Sequence, residues 1–112
     1  MNDKKKEIIQ LRANLLWALA DPTRLELLEY LKDNERCVCE IYPAFGKAQS
    51  TMSKHLGILH NAGFLKRRID GVRTLYSIKH PDIFQILNEA DRMIIRELQE
   101  VKRRIETVEV SS

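Results

Sequence analysis

Two short segments that alternate apolar and polar residues, residues 64–69 and 72–78, flank the dipeptide Asp70-Gly71 and restrict the fold more than any other feature. Alternation with a period of two is typical of β-strands, and Asp-Gly between two such segments predicts a tight β-hairpin. The sequence therefore predicts one small β-hairpin, or wing, in a chain that is otherwise mainly α-helical. The basic residues of this wing are Lys66, Arg67, Arg68 and Arg73.

The segments before the wing have the apolar spacing and the end signals of helices. The first helix is predicted at about residues 5–20 and is expected to be buried on two sides. Asp21-Pro22 then predicts the start of a second helix that continues to about residue 31. Aspartate is a favourable N-cap, and proline is tolerated in the first turn because its missing N–H has no partner there.

Residues 50–59 have the pattern of a further helix with one apolar and one polar face. Ser50 is expected to cap this helix, and Gly63 is expected to follow its end as the C′ residue. The inward face would consist of Met52, Leu56 and Leu59. The opposite face carries short polar side chains and cations with no bulky apolar obstacle, namely Thr51, Ser53, Lys54 and His55. Such a face suits a DNA groove.

The positive net charge of the chain concentrates in the same region. Residues 47–79 contain seven Lys or Arg and one acidic residue, a charge of +6, whereas the remainder has 12 basic and 15 acidic residues, a charge of −3. A polar-faced helix followed by a basic hairpin is the arrangement by which a winged helix-turn-helix reads the major groove and contacts phosphates. We therefore predict groove contacts by Ser50, Thr51, Ser53, Lys54 and His55, and backbone contacts by Arg67, Arg68, Arg73 and Thr74. The alternative for each of them is a solvated surface residue.

Three motifs together resemble the ArsR/SmtB family of winged-helix repressors, which respond to metals and metalloids. They are ALADPTRL at residues 18–25, QSTMSKHL at 49–56 and DGVR at 70–73. The resemblance covers most of the chain, implies a single winged helix-turn-helix domain over residues 1–112, and adds Gln49 to the DNA-binding residues. It also implies a homodimer that is built from the first and last helices and released from its operator by an inducer.

The last helix, predicted at about residues 81–106, supports such a dimer independently. Its apolar residues recur at helical spacing over about six turns, a stripe that a lone small domain cannot easily cover. A two-fold dimer would place two recognition helices on successive major grooves about 34 Å apart, which predicts a near-palindromic operator. The alternative is an intramolecular core helix. The predicted interface residues are Leu11, Leu15, Ile83, Ile86, Leu87, Ala90, Ile94, Leu98 and Val101.

Cys37 and Cys39 lie on a short third helix, predicted at about residues 36–42, which Pro43 and Gly46 interrupt. Cys-Val-Cys matches the thiolate site of the arsenic-responsive members of the family, so the resemblance implies that both cysteines bind an inducer ion. Soft thiolates favour arsenic(III), antimony(III), cadmium or copper(I) over magnesium or calcium. Because residues i and i+2 of a regular helix point to different faces, joint binding is expected to need local unwinding.

The arsenic-responsive motif usually continues to a third cysteine, where this chain has Tyr42. The third ligand is therefore open: a small thiol, water or none. Ligand capture at Cys37 and Cys39 is expected to distort the third helix, which leads directly into the recognition helix, and so to abolish the DNA-competent geometry.

Two other roles for the cysteines stay open. They could sense oxidants, in which case a link between chains or a sulfenic acid is expected, because a disulfide that spans a single residue closes a tight ring. They could also be inert, half-buried thiols.

Other function classes find little support in the sequence. A coiled-coil interaction module that uses the last helix is the remaining non-enzymatic alternative. No phosphate-binding glycine loop, nucleophile elbow or metalloprotease histidine pair is present, so an enzyme is not expected. No apolar run approaches the ~18–20 residues needed to span a bilayer, and no signal-peptide core follows the N-terminal lysines, so a cytoplasmic location without membrane contact is expected.

Overall fold

The computed structural model describes residues 2–111 and contains five helices and a three-stranded sheet within that range. The elements in chain order are α1 (Asp3–Leu19), α2 (Pro22–Tyr30), β1 (Arg36–Cys37), α3 (Val38–Phe45), α4 (Gln49–Asn61), β2 (Leu65–Asp70), β3 (Arg73–Ile78) and α5 (Ile83–Ser111). Contacts divide the chain into two compact units, one up to His80 and one that begins at Pro81. The first unit holds the helix-turn-helix and the wing, and the second consists of α5.

Apolar side chains of α2, α3, α4 and the sheet form the core of the first unit. The predicted inward face of α4 is confirmed, since Met52, Leu56 and Leu59 are completely buried. Full burial of such a side chain contributes about 1.5–3 kcal/mol. These three residues therefore fix which face of α4 points outward. The other fully buried large side chains include Leu27, Leu28, Leu31, Ile41 and Leu65.

The antiparallel sheet has the strand order β1-β3-β2, and β1 was not expected from the sequence. A strand of two residues is too short to show alternation. The hairpin is confirmed, but its turn consists of Gly71 and Val72, because Asp70 pairs with Arg73 as the last rung. Gly71 has φ 63°, a value that glycine adopts without strain and that the first central position of a type II′ turn requires. The turn thus lies one residue later than predicted.

The helix ends agree with the sequence at two places and differ at a third. Asp21 caps α2, as predicted, and its carboxylate accepts a hydrogen bond from Arg24 N at 3.1 Å. Gly63 follows α4 as the C′ residue and donates to the carbonyl of His60 at 3.0 Å. The prediction that Ser50 caps α4 is wrong, because the helix begins earlier and its N-cap, Ala48, makes no side-chain hydrogen bond.

The third helix is longer than predicted and contains the proline. α3 continues through Pro43 to Phe45, whereas an end at residue 42 was predicted. Proline removes the hydrogen bond to the carbonyl four residues back, that of Cys39, near the first turn of the helix. The loss of this one bond does not end the helix. Gly46, in the left-handed conformation with φ 62°, ends it.

The two outer helices expose apolar residues in the single chain. α1 buries only Ala18 and Leu19, so the expected burial of this helix on two sides does not occur within one chain. α5 is about 43 Å long and exposes apolar residues along its length, including Ile86, Ile94, Leu98, Val101 and Ile105. Of the other residues predicted for the dimer interface, Leu11 and Ala90 are exposed, Leu15 and Leu87 are half-buried, and Ile83 is buried. No helix among the described residues is long and apolar enough to cross a membrane.

Candidate nucleic-acid interface and cysteine pair

The outward face of α4 is polar and exposed along its first half. The predicted groove residues Gln49, Ser50, Thr51, Ser53 and Lys54 are all exposed. The face continues to Gly57, which lies four residues after Ser53 and three after Lys54, and a Cβ added at Gly57 would meet no atom within 4 Å. Gly57 is not among the residues predicted from the sequence to face DNA. Its place on the polar face is visible from the spacing alone.

His55 lies at a different place from the other predicted groove residues. Its Nδ1 atom is 3.2 Å from Nη1 of Arg24 and 3.8 Å from a carboxylate oxygen of Asp21, so the ring turns toward the start of α2. An arginine can only donate, so Nδ1 of His55 is the acceptor in this contact. His55 thus links the recognition helix to α2, and a DNA contact by it stays a prediction.

Arg24 is the buried cation that organises this junction, with 7% of its surface exposed. Its Nε donates to the carbonyl of Ala18 at 2.6 Å and its Nη2 to the carbonyl of Trp17 at 3.3 Å. The guanidinium also lies 5.2 Å from the centre of the Trp17 ring. The hydrogen bond from Arg24 N, together with the nearby charge of Arg24, holds the pKa of Asp21 below its ordinary value. One side chain therefore joins the end of α1, the start of α2 and, through His55, α4.

The wing arginines are exposed, and two of them face carboxylates that precede the wing in the sequence. Arg68 forms two hydrogen bonds with Glu35, at 2.8 and 2.6 Å, which lower the pKa of Glu35 and raise that of Arg68. Nη2 of Arg73 lies 3.6 Å from Oε1 of Glu40. Arg67 is exposed and Thr74 is half-buried. Neither carboxylate could be predicted as a partner from the sequence, because pairs between residues 33 positions apart leave no local signal.

The cysteine pair lies across the boundary between β1 and α3. Cys37 ends β1 and is the N-cap of α3, whereas Cys39 is the second residue of the helix. The two sulfurs form a disulfide, with a Cα–Cα distance of 5.1 Å. Cys37 is buried, and Cys39 is exposed.

This geometry corrects two expectations. Joint use of both sulfurs was expected to need local unwinding, but Cys37 precedes the helix in an extended conformation, with φ −76° and ψ 145°, so both side chains meet while α3 is intact. Oxidation was expected to link two chains or to stop at a sulfenic acid. The structure instead joins the sulfurs within one chain.

One cleft of about 570 Å³ connects the cysteine pair with the predicted DNA-binding surface. Besides the two cysteines and Tyr42, it is lined by Gln49 and Ser53 of α4 and by Arg67, Arg73 and Thr74 of the wing. Within residues 2–111, no group of three or more His, Cys, Asp or Glu side chains could hold a metal ion.

Comparisons with known proteins agree with this geometry. Residues 21–67 match the family described as "Bacterial regulatory protein, arsR family". An uncharacterised HTH-type transcriptional regulator of Mycobacterium tuberculosis is 34% identical over 98 residues, which are 87% of this chain and 86% of the relative. The chain belongs to the ArsR family. The arsenical resistance operon repressor of Bacillus subtilis is a further ArsR relative, 30% identical over 90 residues, which are 80% of this chain and 86% of that protein.

A solved structure supports the fold. The solution structure of a homodimeric winged helix-turn-helix DNA-binding domain from Mycobacterium bovis is 28% identical, has a TM-score of 0.76, and covers 89% of this chain and 93% of its own. The winged helix-turn-helix prediction is confirmed. Members of the ArsR family are transcriptional regulators, which confirms the expectation that this chain is not an enzyme.

Proposed function

We propose that this ArsR-family protein is a repressor that binds operator DNA as a homodimer and is released when a thiophilic ion is captured by Cys37 and Cys39. The observation that carries the proposal is the shared cleft, which is lined by the cysteine pair, by Gln49 and Ser53 of α4 and by Arg67 and Arg73 of the wing. A change at the sulfurs therefore acts directly on the residues that face DNA.

The exposed face of α4 supports insertion into the major groove. Ser50, Ser53 and Lys54 are exposed on a helix whose opposite face is completely buried, so the protein offers one orientation to the groove. Arg67 and Arg73 on the exposed wing then reach phosphates, which position the protein without reading sequence.

The apolar surface of α1 and α5 supports a homodimer. Exposed Leu11 on α1 and exposed Ile94, Leu98 and Val101 on α5 would be removed from water by a second copy of the chain. The Mycobacterium bovis relative is a homodimer. A two-fold dimer would place the recognition helices about 34 Å apart, and the proposed operator is a near-palindrome with this spacing.

The donor chemistry of the cysteine pair favours arsenic(III) or antimony(III), with cadmium or another thiophilic metal as alternatives. The sulfurs of two cysteines with one residue between them can bind one soft ion. Tyr42 occupies the position of a third cysteine, so a third ligand would be a small thiol or water. The Bacillus subtilis relative is an arsenical resistance repressor. Oxidation of the same pair is the second candidate trigger, and the disulfide within one chain is the observation that favours it.

Fluorescence anisotropy on labelled DNA from upstream of the protein's own gene tests the proposal. Reduced protein is titrated onto this DNA at several salt concentrations, and arsenite, antimonite, cadmium, zinc and peroxide are then added separately. A steep negative salt dependence together with release by arsenite or antimonite supports the proposal, since phosphate contacts release counterions. Binding that hardly depends on salt would indicate a protein-interaction module instead.

A double variant, Cys37→Ser with Cys39→Ser, is the matched control. Serine keeps an oxygen that can accept the hydrogen bond from residue 39, so this variant should bind DNA normally and should not be released by the ion. Release of the wild-type protein from DNA by peroxide, but by none of the ions, would favour redox sensing. Loss of DNA binding in the double variant would make the cysteines structural.

A further inference from the structure

Two carboxylates on either side of Cys37 hold arginines of the wing. Glu35, which precedes β1, forms the bidentate pair with Arg68, and Glu40 in the first turn of α3 pairs with Arg73. The same two arginines are predicted to contact DNA phosphates. The carboxylates therefore occupy positions on the arginines that phosphates would need.

Glu40 also holds the turn that contains the cysteines. Its Oε1 accepts a hydrogen bond from Cys37 N at 3.2 Å, and Sγ of Cys37 accepts one from Cys39 N at 3.0 Å, which together form a capping box. The same Oε1 atom lies 3.6 Å from Arg73. One carboxylate oxygen thus contacts both the cysteine turn and the wing.

We propose that Glu40 couples the cysteine pair to the wing by competing with DNA phosphates for Arg73. The inference rests on the proposed DNA binding. While the capping box is closed, Cys37 N–H shares the Glu40 carboxylate with Arg73. A change at the cysteines that withdraws this N–H would leave Arg36 and Arg73 as the partners of the carboxylate, each at 3.6 Å in the present structure. Arg73 is then held more fully by Glu40, and DNA binding weakens.

Glu35 provides an internal contrast. It holds Arg68 more tightly than Glu40 holds Arg73, but Glu40 is the carboxylate that accepts the hydrogen bond from Cys37 N. Both carboxylates should therefore oppose DNA binding, and Glu40 should be the one that transmits a change at the cysteines. Glu26, exposed on α2, supplies a control with the same change in net charge.

The test measures affinity for a generic DNA duplex at low salt, because phosphate contacts do not require the operator. Glu40→Gln keeps an oxygen for Cys37 N–H but removes the charge that holds Arg73. It should tighten DNA binding by up to about five-fold, the limit for an exposed ion pair, and make the salt slope more negative by up to about 0.9. Glu35→Gln should act in the same direction, and Glu26→Gln should have a smaller effect than either.

The coupling itself is measured by adding Cys37→Ala, which removes the sulfur that closes the capping box. In the wild-type background this change should weaken DNA binding by about two- to five-fold. The effect should disappear in Glu40→Gln and persist in Glu35→Gln. Thermal melting of every variant verifies folding, and Cys37→Val, which fills the buried volume without an acceptor, replaces Cys37→Ala if the alanine variant melts below the assay temperature.

The outcomes separate this inference from the proposed function. If the wild type does not bind the duplex at low salt, the DNA-binding proposal fails. If it binds and Glu40→Gln behaves like Glu26→Gln, competition for Arg73 is refuted. If Glu40→Gln tightens binding but the Cys37 effect survives in that background, Glu40 does not carry the coupling.

Discussion

Replacement of Arg24 by methionine should lower the free energy of unfolding of this protein more than any surface substitution does. Nε and Nη2 of Arg24 donate to the carbonyls of Ala18 and Trp17 at the end of α1. Hydrogen bonds from charged donors contribute about 1.5–3 kcal/mol each, so the loss of both costs about 3–6 kcal/mol. Because domains of this kind have a total stability of about 5–15 kcal/mol, the variant should be marginally folded.

Thermal and urea denaturation followed by circular dichroism at 222 nm measure this loss. At about 4 °C per kcal/mol, Tm should fall by roughly 12 °C or more. Protein concentration is kept equal in all samples, since association with a second copy stabilises the folded chain. Arg67→Met, a change at an exposed arginine of the wing, should alter stability by no more than about 0.5 kcal/mol.

Arg24→Lys separates the charge from the geometry of the side chain. Lysine keeps the positive charge but cannot reproduce the planar fork that reaches two carbonyls and His55 together, so it should recover only part of the loss. A loss below about 1 kcal/mol in Arg24→Met would refute the reasoning, because the two carbonyls would then be satisfied in another way. Full rescue by lysine would show that charge alone matters at this junction.

Three further outcomes are expected. Lys54→Ala should weaken binding to all DNA sequences and make the salt slope less negative by about 0.9, as measured by anisotropy at several salt concentrations; an unchanged slope would remove Lys54 from the interface. Gly57→Ala should raise Tm, because alanine in a helix interior is favoured over glycine by about 0.5–1 kcal/mol and its Cβ meets no neighbour. The same change should weaken operator binding, because Gly57 shares the face of α4 with Lys54. A variant with both a higher Tm and tighter DNA binding would place Gly57 away from DNA. Hydrogen bonding from Arg24 N lowers the pKa of Asp21 in the folded protein. The stabilisation by Asp21 is therefore complete above its unfolded-state pKa of about 3.9, and it is lost as the pH falls through the lower folded-state pKa. The free energy of unfolding of Asp21→Asn, measured in urea between pH 3 and pH 5, should depend less on pH than that of the wild type.

The elements that local chemistry determines could be predicted from the sequence. The cap at Asp21 needs only a carboxylate before a proline, and the buried face of α4 follows from the spacing of Met52, Leu56 and Leu59. The hairpin follows from alternation and a glycine. In each case, the residues that carry the signal are close together in the sequence.

The features that depend on long-range pairing could not be predicted. β1 exists because Arg36 and Cys37 pair with Tyr76 and Leu75 of β3, about 40 residues further along the chain. Ser50 has the chemistry of a cap, but α4 begins before it, at Gln49, with Ala48 as the N-cap. The ion pairs of Glu35 and Glu40 with the wing depend on the same sheet.

The candidate site shows the same division. The exposure of Lys54 and Arg73 follows from charge and periodicity, whereas the contact of His55 with Arg24 depends on how α4 crosses α2. The cysteines were predicted as a pair, but their place at the strand–helix boundary required β1 to be known.

The short connection between α4 and β2 has a consequence for how such a protein can measure DNA. Gly63 and Phe64 donate backbone hydrogen bonds to His60 and Leu59, at 3.0 Å each, so the recognition helix is joined to the wing through a hydrogen-bonded turn and not through a long loop. With α4 about 20 Å long, a tilt of 10° displaces its far end by about 3.5 Å, close to the rise of one base pair. In the proposed dimer, one base pair inserted between the half-sites would therefore shift the contacts of the helix and those of the wing together.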